Sequence, residues 1–377
     1  MDFTFSDEEQ AVAELGRKIL EDLATNERQK EIEAGDAAWD EKLYKALGDA
    51  NLLGTALPEA HGGSDLGFMA LCRLLQEVGR SVAQVPAYPA LVLGGLPLAR
   101  FGNDEQQKNW LPGVVEGTLV LTAALQEYDS SDPLVLTTIA TKADGGYRLT
   151  GTKSIVPCAS QSASILIPAR TPDGDVLLFW VAPNADGVTV TDQATSDGLP
   201  YGQVELEGAL VRDSDRLGAK GEGALQLKWL VQRAIAARCM MQLGVIERAL
   251  EMTADYTRER IQFGRPIGAF QAVHQRAADA YINVECVRLT AWEVTWRLSQ
   301  ELPSDEHVAV AKFWAAEGGQ NTAYACQHLH GGIGIDIDYP LHRYFKWATQ
   351  LEHELGSARH QLEVLGRSIA ASGLPPA

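Results

Sequence analysis

The 377 residues and 46% hydrophobic content of this chain favour a folded protein of two or three domains over a disordered one. The formal net charge of −18 argues against nonspecific binding to nucleic acid or to an anionic membrane, although a local cationic site can still hold a phosphate-bearing ligand. No apolar run approaches membrane-span length and the N-terminus lacks a signal-peptide pattern, so we expect a cytoplasmic protein that binds neither nucleic acid nor membrane. The five cysteines have no CxxC spacing, which predicts reduced thiols and no metal site.

The first predicted domain, residues 1–118, is helical. A capping box at Ser6–Glu9 predicts the start of its first helix. The apolar face of that helix is predicted to contain Val12, Leu15, Ile19 and Leu23. Glycine and proline punctuate the rest of the domain, including Gly94, Gly95, Pro97 and Gly102.

The second predicted domain, residues 119–222, is a β domain. Short β-prone runs alternate with turn signals, at Ala143–Gly146, Pro172–Gly174 and Ala185–Gly187. The predicted strands between these turns are Thr137–Lys142, Tyr147–Lys153, Ser164–Arg170 and Val176–Val181. Such regular hairpin punctuation predicts an antiparallel sheet folded as a barrel or sandwich.

The third predicted domain, residues 223–377, is a helical bundle. One face of a long helix is predicted to contain Leu243, Ile246, Leu250, Ala254 and Ile261. A second helix is expected over Val273–Gln300, and a third, capped by Ser304, extends to about Leu329. A last helix opens at Tyr339–His342. The whole chain is therefore predicted to be mostly α, with a central β domain and a C-terminal four-helix bundle.

Two motifs in this bundle carry the strongest functional signal. Arg260–Gln271 reads RIQFGRPIGAFQ, and His328–Gly334 reads HLHGGIG. Each places glycines beside donor side chains next to a predicted helix, a combination that suits a diphosphate or a dinucleotide. A purely structural explanation is that Arg260 is an exposed arginine at a helix end and that Gly264 ends the helix. His330 can equally hydrogen-bond its own turn or contact a ligand.

The domain order together with these motifs resembles the acyl-CoA dehydrogenase family, over essentially the whole chain. The segment Arg258–Val273 carries most of this resemblance. Within the family, His328–Phe345 resembles the actinobacterial members that act on steroid side-chain thioesters. The resemblance implies FAD as the cofactor and an acyl-CoA thioester as the substrate. It also implies an electron-transferring flavoprotein as the electron acceptor.

The resemblance further implies a role for each matching position. Residues at the positions of Arg260, Gln262 and Phe263 reach across a subunit interface to a neighbour's FAD, where Arg260 meets the diphosphate. Gln271 lies near the same cofactor, and His328 stands where many relatives carry a glutamine that contacts the adenosine half. The glycines of the second motif let the backbone approach the dinucleotide closely; they are Gly331, Gly332 and Gly334.

The catalytic base expected of the family is missing. A carboxylate must be aimed at the α proton of the thioester in a dry pocket. Many members place a glutamate in an E-G-T-like tripeptide after the glycine motif, but this chain has Leu355–Ser357 there. Other members place it on the long helix, where this chain has Ala234. Glu354 is one position out of register, about 100° around a helix, and we expect a solvated side chain there. The catalytic residues are therefore unknown.

Two segments that serve the chain's own flavin in relatives also depart from the family pattern. Leu125–Asp132 replaces the loop T-E-P-G-x-G-S-D, and loses its threonine and glycines. Ile155–Pro157 replaces the W-I-T/S strand, which removes an aromatic wall and, at the proline, a backbone donor. Elements that serve a neighbour's FAD are thus kept, whereas those that serve the chain's own FAD are altered.

This asymmetry predicts the subunit of an α2β2 acyl-CoA dehydrogenase that lacks the catalytic base and contributes FAD contacts in trans to a homologous subunit. One alternative is a self-sufficient homotetrameric dehydrogenase with a displaced base, such as Glu354 or Glu247. Another is a non-redox member of the family that binds flavin or acyl-CoA without turnover. Expression of the chain alone distinguishes these alternatives by its flavin colour.

Overall fold

The computed structural model describes residues 4–128 and 130–373, and its N-terminal part is helical. Within those residues its α-helices are α1 (Asp7–Leu23), α2 (Asn26–Ala34), α3 (Glu41–Asp49), α4 (Gly67–Arg80), α5 (Leu96–Phe101) and α6 (Asp104–Val115). A buried π-helical segment, Tyr88–Gly95, precedes α5. π-Helical turns are rare and are frequently found at functional sites.

The first helix begins as predicted but buries a different face. The Ser6 side chain accepts a hydrogen bond from the backbone N–H of Glu9, so the capping box is confirmed. Leu15, expected on the buried face, is 43% exposed. The buried stripe passes through Gly16, where an added Cβ would come within 2.8 Å of the Leu74 side chain on α4. Val12 and Leu20 are buried on the same stripe, so α1 packs on α4 through a closely approached glycine flanked by apolar side chains.

The central sheet contains the predicted strands but is not purely antiparallel. Its strands are β1 (Leu121–Ala123), β2 (Ile139–Ala143), β3 (Gly146–Pro157), β4 (Ser164–Arg170), β5 (Val176–Val181), β6 (Val188–Gln193) and β7 (Tyr201–Arg212). The order is β1-β4-β2-β3-β7-β6, and β5 pairs with β4. Strand β4 pairs in parallel with both β1 and β2. Hairpin turns specify pairing only between sequence neighbours, so they could not reveal that β4 inserts between two earlier strands, and the sheet is mixed and curled.

The C-terminal part is helical, as predicted. Its helices are α7 (Gly223–Glu259), α8 (Gln271–Ser299), α9 (Asp305–His330), α10 (Leu341–His353) and α11 (Ala358–Ser372). Ser304 precedes α9 as expected, but its hydroxyl donates to the carbonyl of Leu302 instead of capping the helix. The last predicted helix is divided into α10 and α11, because Leu355 (φ +56°) and Gly356 (φ +98°) turn the chain. The mostly α fold with a central sheet is thus confirmed.

Helix α7 runs through the middle of the molecule. It packs against α4, α8, α9 and α10, so side chains around its whole circumference are buried. Although it has 37 residues, neither it nor any other helix in the described part of the chain is apolar enough over sufficient length to cross a membrane. This central position brings α7 next to the sheet and next to the turn between α10 and α11.

Candidate functional site

The first motif forms a hairpin that projects beyond the end of α7. The apolar pattern placed Ile261 on the helix, and the structural explanation placed Gly264 at its end, but α7 ends at Glu259. Ile261–Gln262 and Arg265–Pro266 instead pair as two short strands, β8 and β9. Gly264, with φ +77°, lies in the turn between them. The motif therefore presents its side chains on a protrusion rather than along a helix.

The second motif is joined to the last turns of α7, just before this hairpin, by buried His330. The ring of His330 stacks on Tyr256 in the last turns of α7, with centroids 4.4 Å apart and rings 16° from parallel. Its Nδ1 lies 2.9 Å from the carbonyl oxygen of Cys326, and its Nε2 lies 3.1 Å from the hydroxyl of Tyr339. Burial lowers the pKa of His330, and a neutral ring satisfies both contacts by donating from Nδ1 and accepting at Nε2. His330 therefore has a structural role within the chain.

The candidate cofactor-binding residues are almost all on the surface at this end of the bundle. The exposed ones are Arg260, Gln262, Phe263, Gln271, His328, Gly331 and Gly332. Phe263 is 92% exposed, and within the described residues the Gln262 amide donates only to the backbone of Ile261. Aromatic and arginine side chains are enriched on surfaces that meet another protein.

The three glycines of the second motif differ in what requires them. Gly331 has φ +63° and ψ −140°, a conformation that is strained for any residue with a Cβ. Gly334 is buried, and an added Cβ would lie 2.9 Å from the Gln327 amide nitrogen. Around Gly332, an added Cβ would meet nothing within 4 Å. No contact within the described chain requires the second glycine, so its backbone is open to a molecule from outside.

A second site is formed where the segments that depart from the family pattern converge. They surround one small cavity, the inner cavity, between the sheet, α7 and the turn before α11. Its lining includes Leu125, Gln126, Ile155, Pro157, Glu354 and Leu355. The volume is about 20 Å³, which is room for roughly one water molecule.

Arg238 also lines this cavity, and its side chain takes up space that would otherwise enlarge it. It projects from α7 one turn after buried Ala234, with its guanidinium carbon 3.6 Å from the ring centroid of Tyr88. Its Nε lies 2.6 Å from Oε2 of Glu354, and its Nη2 donates to the hydroxyl of Tyr201 at 3.0 Å. The arginine and glutamate side chains are 2% and 5% exposed. Burial opposes the charge on Arg238, but the Glu354 carboxylate outweighs it and raises the arginine pKa above its ordinary value.

The expectation that Glu354 is a solvated helix carboxylate is wrong. Helix α10 ends at His353, and Glu354 is an extended residue with ψ 138°. It therefore does not follow the 100° rotation of a continuing helix, and both Glu354 and Leu355 face the inner cavity. Tyr201 donates to the carboxylate at 2.6 Å. Arg238 and Tyr201 thus hold the only carboxylate that lines this cavity in the described part of the chain.

The loop Leu125–Asp132 is fixed to the sheet by a second buried ion pair. Glu127 accepts from the Lys153 ammonium at 2.6 Å and from the Thr138 hydroxyl at 2.7 Å. Burial disfavours both charges. At Glu127 the Lys153 ammonium outweighs burial and lowers the pKa of the carboxyl group to about 2. At Lys153 burial outweighs the carboxylate and lowers the pKa of the ammonium to about 8. Farther along the loop, the Ser131 hydroxyl lies 3.2 Å from Nδ1 of His360 at the start of α11. These contacts join the loop to β3 and to α11; Asp129 lies outside the described residues.

Glu247, the other carboxylate considered as a displaced base, is held elsewhere. It follows Arg238 by nine residues on α7, about 13 Å along the helix axis. Its carboxylate accepts from the amide of Gln76 at 2.8 Å and pairs with Arg288. Burial raises the pKa of Glu247 despite the nearby arginine. It is part of a polar network between α4, α7 and α8 and does not line the inner cavity.

Sequence reasoning missed Arg238 and Tyr201. Arg238 had a detectable signal, because it is the one charged residue in the mostly apolar run Ala234–Leu243 of a long helix. A lone arginine in such a run needs a buried partner. Tyr201 begins a strand, and nothing local distinguishes it from an ordinary core tyrosine.

Comparison with known proteins places this architecture in one family. Models of the acyl-CoA dehydrogenase N-terminal and C-terminal domains match residues 6–118 and 221–370. The acyl-CoA dehydrogenase FadE27 of Mycobacterium tuberculosis is 40% identical over 98% of this chain and 99% of its own length.

Two solved structures are similar over nearly the whole chain. One is a chain of the ChsE4-ChsE5 complex from Mycobacterium tuberculosis, with a TM-score of 0.93 and 40% identity over 100% of both chains. The other is a variant of the steroid ACAD Tcur3481-Tcur3483, with a TM-score of 0.91 and 41% identity over 97% of this chain and 98% of that one. The chain belongs to the acyl-CoA dehydrogenase family, whose members are FAD-dependent oxidoreductases that act on CH–CH bonds.

Proposed function

We propose that this chain is the subunit of a heteromeric α2β2 acyl-CoA dehydrogenase that lacks the catalytic base. In this proposal it contributes contacts in trans to the FAD of a homologous catalytic subunit. The observation that carries the proposal is the Arg238–Glu354 ion pair, which fills the inner cavity where the family's base and flavin segments meet. The complexes named among its relatives support a second, homologous subunit.

The residues around the inner cavity do not fit a flavin ring. Pockets that hold small molecules and cofactors usually measure about 300–1,000 Å³, whereas this cavity measures about 20 Å³. Opening it requires separation of a buried ion pair and removal of Arg238 from the face of Tyr88. Such a change costs several kcal/mol before any ligand contact is made. We therefore derive no catalytic step at this position.

The surface motifs do fit one end of FAD. Arg260 would pair with the diphosphate, since its side chain makes no hydrogen bond or ion pair with the described residues and a guanidinium matches phosphate oxygens bidentately. Gln262, Gln271 and His328 would supply further polar contacts, and Phe263 an aromatic surface. The open backbone at Gly332 would allow close approach. FAD, when bound in a catalytic half-site, accepts the substrate's β hydrogen as hydride.

In this proposal the partner subunit supplies the base. A base must be ionised, dry and free to reach the α proton of the thioester. The Glu354 carboxylate is dry, but it is ion-paired with Arg238 and accepts from Tyr201. Steroid side-chain CoA thioesters are the proposed substrate class, because a relative of 41% identity is a steroid ACAD. An electron-transferring flavoprotein is the proposed acceptor.

Expression with and without a homologous partner tests the proposal. Alone, the chain is expected to purify without stoichiometric FAD, whereas with a catalytic homologue from the same gene neighbourhood it forms a yellow α2β2 complex. Mass spectrometry of the intact assembly and the flavin absorbance give subunit and FAD stoichiometry. A flavin-replete homotetramer that dehydrogenates acyl-CoA by itself would overturn the proposal.

A second candidate function is a self-sufficient enzyme with Glu354 as a displaced base, which is favoured by the position of Glu354 in the cavity lining. Substitution Glu354→Gln distinguishes the two. In the proposed complex, turnover per bound FAD is expected to stay within about twofold of the unmodified enzyme. Loss of a general base instead lowers turnover about 10²–10⁴-fold. Steady-state turnover of folded, FAD-loaded enzyme is the measurement, and Glu352→Gln, two residues away, is the matched control.

A further inference from the structure

Asp197, in the loop before β7, joins the Arg238–Glu354 pair through Tyr201. The aspartate is 5% exposed. Its Oδ1 accepts from the Thr195 hydroxyl at 2.7 Å and from the backbone N–H of Leu199 at 3.1 Å. Its Oδ2 lies 3.2 Å from the Tyr201 hydroxyl oxygen. The sheet domain and the helical bundle thus meet in one buried cluster, which we call the latch: Asp197, Tyr201, Arg238 and Glu354.

A hydrogen-bond count shows that the latch needs one more proton than two ionised carboxylates allow. The Tyr201 hydroxyl has one hydrogen and two lone pairs. Arg238 Nη2 donates to its oxygen at 3.0 Å, and the hydroxyl donates to Glu354 at 2.6 Å. The remaining contact, 3.2 Å to Asp197 Oδ2, then joins a lone pair to a carboxylate oxygen. It is favourable only when that oxygen carries a proton and donates it to Tyr201.

The extra proton belongs on Asp197 rather than on Glu354. Glu354 is ion-paired with Arg238 and also accepts from the amide of Gln350 at 3.2 Å, so its oxygens already face donors. Among the described residues, Oδ2 of Asp197 has no other hydrogen-bonding neighbour than Tyr201. The protonated acid makes the contact between Asp197 and Tyr201 a hydrogen bond, and the ionised acid leaves this contact repulsive.

The charges that face Asp197 favour the same assignment. Arg238 on α7 is matched by Glu354 after α10, and Cys158 after β3 and the Tyr88 ring add no positive charge. Lys312 on α9 directs its ammonium to backbone carbonyls at the end of α10. Ionised Asp197 would therefore give the buried cluster an unmatched negative charge. Burial, and then the Glu354 carboxylate, raise the pKa of Asp197 to about 6.

We propose that the latch is proton-dependent: protonated Asp197 holds the loop before β7 closed against Tyr201, and ionised Asp197 repels Glu354 and opens this contact, while the Arg238–Glu354 pair stays in the inner cavity. This goes beyond the proposed function and does not depend on a partner supplying the base. The pKa of Asp197 in the closed latch lies above its ordinary value. The bound proton therefore stabilises the closed latch fully at pH values below the ordinary pKa of an aspartate. This stabilisation is lost as the pH rises through about 6.

Peptide-level hydrogen exchange of the full-length protein, in its complex if it purifies as one, tests the proposal. Between pH 5 and pH 8, after correction for intrinsic exchange rates, protection of residues 194–201 and 353–357 is expected to fall about tenfold. In the Asp197→Asn variant the side-chain amide still donates to Tyr201 but carries no charge, so the latch should stay closed at both pH values. Asp173→Asn, in the exposed turn between β4 and β5, is the matched control and should behave like the unmodified protein.

Two results would overturn the latch: protection that does not change with pH in the unmodified protein, or a pH dependence that persists in Asp197→Asn. If Asp197→Asn fails to fold, labelling of Cys158 in the unmodified protein decides. This thiol is 3% exposed beside the latch, and Cys72, fully buried in the N-terminal core, is the internal reference. Burial raises the pKa of both thiols, so their labelling ratio cancels the chemical effect of pH. A step near pH 6 supports the latch, and a flat ratio contradicts it.

Discussion

Replacing Arg260 by alanine is expected to release FAD from the complex with a catalytic subunit. A hydrogen bond to a charged group contributes about 1.5–3 kcal/mol, which corresponds to FAD binding weakened roughly ten- to a hundredfold. Arg260 is exposed and makes no ion pair among the described residues, so its loss should leave the fold intact. The measurement is FAD retained after gel filtration, together with its dissociation constant by fluorescence.

The neighbouring arginine is the matched control for this prediction. Arg258 lies two residues earlier on the same helix end, is exposed, and is paired with Asp255 at 3.0 Å. Arg258→Ala should therefore keep FAD. Arg260→Lys keeps the charge but not the planar fork, and should give an intermediate affinity. If Arg260→Ala binds FAD as tightly as Arg258→Ala, then Arg260 does not reach the diphosphate and the proposed contribution in trans is wrong.

Replacing Arg238 by methionine is expected to destabilise the chain more than any surface substitution. Removal of one partner of a buried ion pair costs about 3–5 kcal/mol, because it leaves the other charge without compensation. Here that charge is Glu354, which is 4% exposed. The expected result is a lower denaturant midpoint for the full-length protein, measured by circular dichroism. Methionine roughly preserves the volume under Tyr88, so the loss reports charge rather than a cavity.

The double variant Arg238→Met/Glu354→Gln separates the ion pair from other effects of the substitution. Replacement of both charges removes the uncompensated carboxylate, and such replacements are often neutral. The double variant should therefore recover most of the stability lost in Arg238→Met. An exposed pair of the same chemistry, Arg359 and Glu363 on α11, is the control, and Arg359→Met should cost less than about 1 kcal/mol. Strict additivity of the two substitutions would mean that Arg238 and Glu354 do not interact.

Most of the segments in which the sequence departs from the family pattern line the inner cavity, but the sequence did not reveal which side chains fill it. Leu355 and Ala234 showed that the usual base positions hold no carboxylate, and both are buried in the structure. Glu354 was predicted to be solvated because a continuing helix would rotate it away. The helix ends at His353 instead, Glu354 is extended with ψ 138°, and Leu355 has a positive φ, so both residues face the inner cavity. The local backbone turn after α10 thus decided the burial of a charge.

The sequence by itself determined the mostly α fold with a central sheet, the capping box at Ser6, and the surface motifs at Arg260–Gln271 and His328–Gly334. These features depend on local periodicity, caps and turn residues, which are written in consecutive positions. Tertiary structure alone decided that β4 inserts between β1 and β2 and that Arg238 meets Glu354 and Tyr201. Those partners lie 116 and 37 positions away in the chain (354 − 238 and 238 − 201). No local pattern encodes such a meeting, because it depends on how three separate elements pack around one buried charge.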